Sequence, residues 1–126
     1  MHLYRGCSDE EFNKINKTGF SPVPTLSFSE NKNLANHFGN NIIEIISEVP
    51  LFCYHKFLGE YFTSMKKVDP EEFEAEDGEY MIETAETELE WICTNSYKFE
   101  QTDKPNIYIL KMGPIIPKPK IQYTIF

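Results

Sequence analysis

No apolar run in this 126-residue chain approaches the ~18 residues that cross a bilayer, and the opening MHLYRGCSDE lacks the apolar stretch of a secretory leader. The expectation is a cytoplasmic protein with no membrane association. Cysteine is scarce too. Cys7, Cys53 and Cys93 are odd in number, far apart and free of CxxC or His-rich spacing. That excludes a disulfide frame or a zinc site and reads as reduced thiols, with no metal expected. Positive charge is the third shortage: 12 Lys and Arg stand against 20 Asp and Glu, a net charge of −8. General affinity for a nucleic-acid backbone is therefore not expected, and a cationic protein is the natural partner. Also missing are a P-loop, GxGxxG, HExxH or GxSxG motif, any internal repeat and any low-complexity linker, so common phosphate and metal chemistries have no motif behind them.

What the chain does have is apolar bulk. Hydrophobic residues make up 40% of it, with 10 Phe, 7 Tyr and 1 Trp. At this length one domain over residues 1–126 is expected to bury roughly two-thirds of its unfolded surface. His2–Arg5 reads as a strand, and Ser8 with Glu11 as a capping box opening a helix over Asp9–Lys17, ended by Thr18-Gly19. Pro22 and Pro24 hold the connection extended into a strand over Thr25–Ser29. Asn31–Phe38 then spaces Leu34, Ala35 and Phe38 as a helix does, with Ser29 as its cap. Ile42–Val49 reads as a strand, Leu51–Met65 as an amphipathic helix, and Lys66–Asp77 as a charged loop. Further strands are expected at Glu79–Glu83, Leu89–Thr94, Tyr97–Glu100, Ile107–Met112 and Gln122–Phe126. With helices crowding the first half and strands the second, the layout is α+β.

Three polar points remain on the strands. Arg5 lies in the apolar LYRG edge, Ser27 and Ser29 sit two apart on one side of their strand, and Glu79 follows Asp77-Gly78. Singly each has an ordinary explanation. A strand-end arginine usually pairs with a carboxylate, and the acidic run Glu71, Glu72, Glu74, Glu76, Asp77 is usually a solvated face. Together and in this order they resemble the ADP-ribosyltransferase family of the arginine-serine-glutamate class. In that family a first strand ends in Arg-Gly, and a later strand ends in Ser-x-Ser before a helix with Ala-x-x-Phe. A last element reads Glu/Gln-x-Glu before an apolar strand. Here these are Leu3-Tyr4-Arg5-Gly6, Ser27-Phe28-Ser29 with Ala35-Asn36-His37-Phe38, and Asp77-Gly78-Glu79-Tyr80-Met81-Ile82. The resemblance covers roughly residues 2–100 and implies a split β-sheet core with a few short helices.

The resemblance implies a mono-ADP-ribosyltransferase that uses NAD as substrate and a protein side chain as acceptor, of the phage or bacterial effector type. Glu79 would stabilise the oxocarbenium-like ribose and hold a ribose hydroxyl. Arg5 would face the pyrophosphate or ribose, and the Gly6 backbone the nicotinamide amide. Ser27 would orient Glu79, Ser29 would support the corner, and Phe38 would line the dinucleotide site. Asp77 stands where the family has Glu or Gln, one methylene longer, so the acceptor type stays open. Phe73 either faces the acceptor protein or anchors its own loop. His37 and His55 read as surface or satisfied residues, Trp91 as core, and Cys7 as a thiol with no base beside it. Other readings are an NAD glycohydrolase, a non-catalytic module of the same fold that sequesters a dinucleotide or partner protein, and a plain interaction protein.

Overall fold

A computed structural model describes residues 2–113. Seven strands form one sheet in the order β4-β5-β2-β1-β3-β7-β6. The strands are β1 His2–Cys7, β2 Leu26–Ser29, β3 Asn41–Ser47, β4 Phe52–Cys53, β5 Glu90–Cys93, β6 Tyr97–Gln101 and β7 Ile107–Met112. Five helices accompany them: α1 Asp9–Thr18, α2 Lys32–Ala35, α3 Tyr54–Val68, α4 Pro70–Ala75 and α5 Gly78–Glu88. The architecture is mixed helix and sheet, compatible with α+β, and no described helix is long and apolar enough to cross a membrane. Every strand pairing is antiparallel except β3 with β7. Leu3, Ile43, Ile45, Leu110, Phe28 and Phe99 meet Ile15 of α1 in the core.

The sheet has a seam. β1 pairs with β3 over six residues and β2 with β5 over four, yet β1 and β2 pair only at Tyr4 and Ser29. Beyond that pair they part. The β4-β5-β2 wing and the β1-β3-β7-β6 wing are thus joined at one point, and a cleft opens between Arg5–Cys7 and Ser27–Phe28.

Several expected elements change. Helices do not precede strands: three strands lie within residues 2–47, and three helices are gathered between Tyr54 and Glu88. Lys66–Asp77 is the end of α3 followed by α4, not a loop. Asp69 caps α4 by accepting from the Glu72 N–H at 3.2 Å, and Pro70 takes the first turn, where its missing N–H costs nothing. Glu79–Glu83 is not a strand but the start of α5, in which Gly78, Met81, Ile82 and Ala85 follow helical spacing along the less exposed side. Leu51–Met65 begins as strand β4 before α3. Asn31, not Ser29, caps α2, its Oδ1 accepting from the N–H groups of Asn33 and Leu34. The expected strand Gln122–Phe126 lies outside the described residues.

Candidate active site

The cleft at the seam has a volume of about 510 Å³, within the range of small-molecule sites. Tyr4, Arg5, Gly6 and Cys7 of β1 form one side, Ser27, Phe28 and Ser29 of β2 the other, and Leu34, Ala35 and Phe38 a wall. Glu88 and Glu90 close it. Opposite residues of an antiparallel ladder share a face, so Ser29 and Glu90, paired in register, project side by side. Ser27, two residues along β2, shares that face and lies diagonal to Glu90.

Arg5 is the only arginine of the chain, and it spans the seam. Its Nε and Nη2 donate to the two carboxylate oxygens of Glu11 at 2.6 and 3.0 Å, and its Nη1 donates to the Ser27 carbonyl at 2.9 Å. Three of the five guanidinium N–H groups are so used, and two have no partner among the described residues. Carboxylate pairing, the ordinary fate of such an arginine, therefore accounts for most of the fork. Glu11 is free to do this because only half of the capping box forms. Its N–H donates to Ser8 Oγ at 3.1 Å, while its side chain turns to Arg5.

Gly6 makes room rather than leaving an open surface. A Cβ there would stand 1.8 Å from the Ala35 carbonyl oxygen, so the glycine lets α2 pack onto β1. Ser29 ties two elements together: its hydroxyl donates to the Glu88 carbonyl at 2.5 Å and accepts from the Asn31 N–H at 2.8 Å. Phe38, just past α2, is 64% exposed at the cleft and does not pack as a helix anchor. Cys7 lines the cleft as an inert thiol, pushed up to about 11 by burial, then by the Glu11 charge, against the opposing charge of Arg5.

The structure does not bring Glu79 to this cleft. It lies in the first turn of α5 with its side chain 72% exposed and paired to Lys66 Nζ at 2.6 Å. Glu88 lies nine positions further on, about 14 Å along a helix. Asp77 is exposed in a left-handed conformation (φ 53°) before α5 and makes no capping bond. Phe73 is buried and packs on Gly78, so it anchors its own helix and is not presented to an acceptor. A Cβ at Gly78 would meet that ring at 2.1 Å. Gly78→Ala is therefore expected to destabilise the fold by about 1–3 kcal/mol from overpacking, more than the ~1 kcal/mol that alanine gains in helix propensity. Thermal unfolding checks the sign.

Three carboxylates line the cleft: Glu11, which is held by Arg5, Glu88 and, at the start of β5, Glu90. Burial, and next the charge of Glu88, hold its carboxyl above the ordinary range. Its carbonyl accepts from His55 Nδ1 at 3.1 Å, which fixes the proton on that nitrogen. Trp91 beside it donates from Nε1 to Glu30 at 2.8 Å and packs half-buried against the core. No known protein family, curated protein or solved structure matches the chain. The signal that would have found Glu90 in the sequence is Glu88-Leu89-Glu90 followed by Trp91-Ile92-Cys93, the Glu-x-Glu spacing before an apolar strand. Among the described residues no cluster of His, Cys, Asp and Glu is arranged to hold a metal ion.

Proposed function

We propose that the protein transfers ADP-ribose from NAD to a side chain of another protein, with Glu90 in the role that the resemblance implied for Glu79. The observation that carries this reading is the convergence of Arg5, Ser27 and Glu90 on one cleft at a split in the sheet. The order of the three along the chain is that of the arginine-serine-glutamate pattern, and Glu88 takes the place first read at Asp77.

Breaking the bond between nicotinamide and ribose builds positive charge on the sugar, and a carboxylate held against it stabilises that charge. Glu90 supplies the carboxylate. Nicotinamide leaves with the electron pair of the broken bond. The acceptor side chain gives its lone pair to the same carbon and sheds a proton, for which Glu88 is the neighbouring carboxylate. Ser27 suits a hydroxyl of the ribose, the two uncommitted N–H groups of Arg5 suit the pyrophosphate, and Phe38 offers an exposed ring for stacking. An effector of the phage or bacterial type, acting on a host protein in the same cytoplasm, is the setting this reading favours.

Incubation with labelled NAD and a cell lysate is expected to label one or a few protein bands and to release nicotinamide. Nicotinamide without labelled protein would make the chain a glycohydrolase, and neither product would defeat the proposal. The pH dependence follows from Glu90. Only its ionised form stabilises a cation, and its raised pKa means that it protonates earlier on acidification than free glutamate, at 4.5. Nicotinamide release is expected to decline with falling pH from a midpoint above that value. Glu88→Gln removes the neighbouring negative charge and is expected to move the midpoint down. A rate that stays level through this window would remove Glu90 from the chemistry.

A further inference from the structure

The helical face made by β4 and α3 carries an exposed ladder of rings. Phe57 is 51% and Tyr61 48% exposed, and their rings stack with centroids 6.3 Å apart. Phe52 and Tyr54 extend the row, with Phe52 and Phe57 centroids 5.7 Å apart. Behind it Tyr61 meets the buried Phe62 edge-on at 5.1 Å, so the rings are fixed from below. Two shallow grooves run along Phe57 and Tyr61, one reaching Met65 and Val68 and the other Met81. Among the described residues nothing covers them. Single exposed hydrophobics are ordinary, but a contiguous aromatic row marks a contact surface.

Charge says what fits there. The only charged residues lining the two grooves are Glu60 and Glu76. Of the lysines of α3, Lys66 is paired with Glu79, Lys56 lines neither groove, and Lys67 lies in the neighbouring hollow beside Glu60. From Val68 to Tyr97 the chain has no lysine or arginine, while Asp69 to Glu90 holds 11 of its 20 carboxylates (69, 71, 72, 74, 76, 77, 79, 83, 86, 88 and 90). That acidic belt runs along α4 and α5 from the groove at Glu76 and Met81 to Glu88 at the cleft. The 11 residues of α5 cover about 16 Å of it. A second copy of the chain would bring one acidic belt against another, and an anionic membrane or nucleic acid would be repelled in the same way.

We infer that the α3 face is the docking surface for a basic segment of a partner protein, which seats an apolar side chain between Phe57 and Tyr61 and lays its lysines or arginines along α4 and α5. Aromatic anchors in such a groove carry most of the binding energy, and the rim charges set approach and salt dependence. The inference deepens the proposed transfer, because the same belt leads the partner toward the cleft. It stands or falls separately, since Phe57, Tyr61, Glu60 and Glu76 do not line that cleft.

The test uses a fluorescent peptide of lysine and leucine as probe. It is expected to bind the full chain with an affinity that falls as salt rises. Phe57→Ser with Tyr61→Ser is expected to weaken binding by about tenfold or more with thermal unfolding little changed. Glu60→Gln with Glu76→Gln, both on the surface, is expected to weaken binding and flatten its salt dependence. Equal binding by both double variants would overturn the inference, as would equal binding of a glutamate and leucine peptide. A dimer in sedimentation that the aromatic double variant abolishes would assign the face to a second copy. Tighter binding of a peptide of residues 114–126 would assign it to the chain's own end, and either result overturns the inference. Nicotinamide release is expected to survive the aromatic double variant. Loss of peptide binding with release intact separates this surface from the cleft.

Discussion

Glu90→Gln is expected to lower nicotinamide release from NAD by on the order of 10²-fold or more, the scale on which removing one well-placed electrostatic group acts in enzymes. Glutamine keeps the shape of the side chain and the β5 backbone pairing with Ser29, so the loss would report charge and not a shifted strand. It also removes a carboxylate that burial and Glu88 hold unfavourably, so the fold is expected to be no less stable than the parent at neutral pH. Glu79→Gln is the control. It breaks only an exposed pair with Lys66, worth about 0–1 kcal/mol, and release is expected to stay at the parent rate. The opposite pattern, with Glu79→Gln inactive and Glu90→Gln active, would return the chemistry to the first reading of the sequence and empty the cleft of its role.

The largest expected effect on stability is at Glu11. Its side chain is 7% exposed and that of Arg5 13%, so Glu11→Ala would leave a guanidinium out of water with the Ser27 carbonyl as its one partner among the described residues. Breaking one half of such a pair costs about 3–5 kcal/mol, a large part of the ~5–15 kcal/mol that a domain has in total. Denaturant unfolding measures it. The companion variant Arg5→Met with Glu11→Leu removes both charges at once and is expected to recover most of the loss, because apolar replacements of similar size remove the desolvation cost with the attraction. If the double variant is as unstable as Glu11→Ala, the loss comes from the missing contacts of the Glu11 side chain and not from an uncompensated charge on Arg5.

The sheet was more legible in the sequence than the helices between its strands. The runs read as strands at His2–Arg5, Thr25–Ser29, Ile42–Val49, Tyr97–Glu100 and Ile107–Met112 each fall on a strand, with only Thr25, Glu48 and Val49 outside, because apolar alternation is a direct imprint of one buried face. Tyr80-Met81-Ile82 misled for a known physical reason. A short apolar run does not distinguish strand from helix, and Asp77-Gly78 mimics a turn, whereas here the left-handed Asp77 starts a helix. Once a strand is placed at Glu79, Glu-x-Glu before a strand has its apparent match. Glu90 then falls inside the next expected strand, which begins at Leu89. The capping-box signal at Ser8 and Glu11 hides the partner of Arg5 in a similar way. Local spacing gave Glu11 a reason to exist, and its bond to Arg5 depends on how β1 and α1 meet, which no short window contains.

The parting of β1 from β2 after Tyr4 leaves the protein with two strand edges inside its own sheet. Elsewhere such edges are a hazard, since their N–H and C=O groups invite another chain to pair. Here Leu34 and Ala35 of α2, with Phe38 just beyond it, line the gap, so the two edges are flanked by side chains. An amide carried on an aromatic ring has one donor side and one acceptor side, as a peptide unit has. Under the proposed transfer, the nicotinamide amide would be a fragment of the missing ladder, met by backbone groups that no side-chain substitution removes.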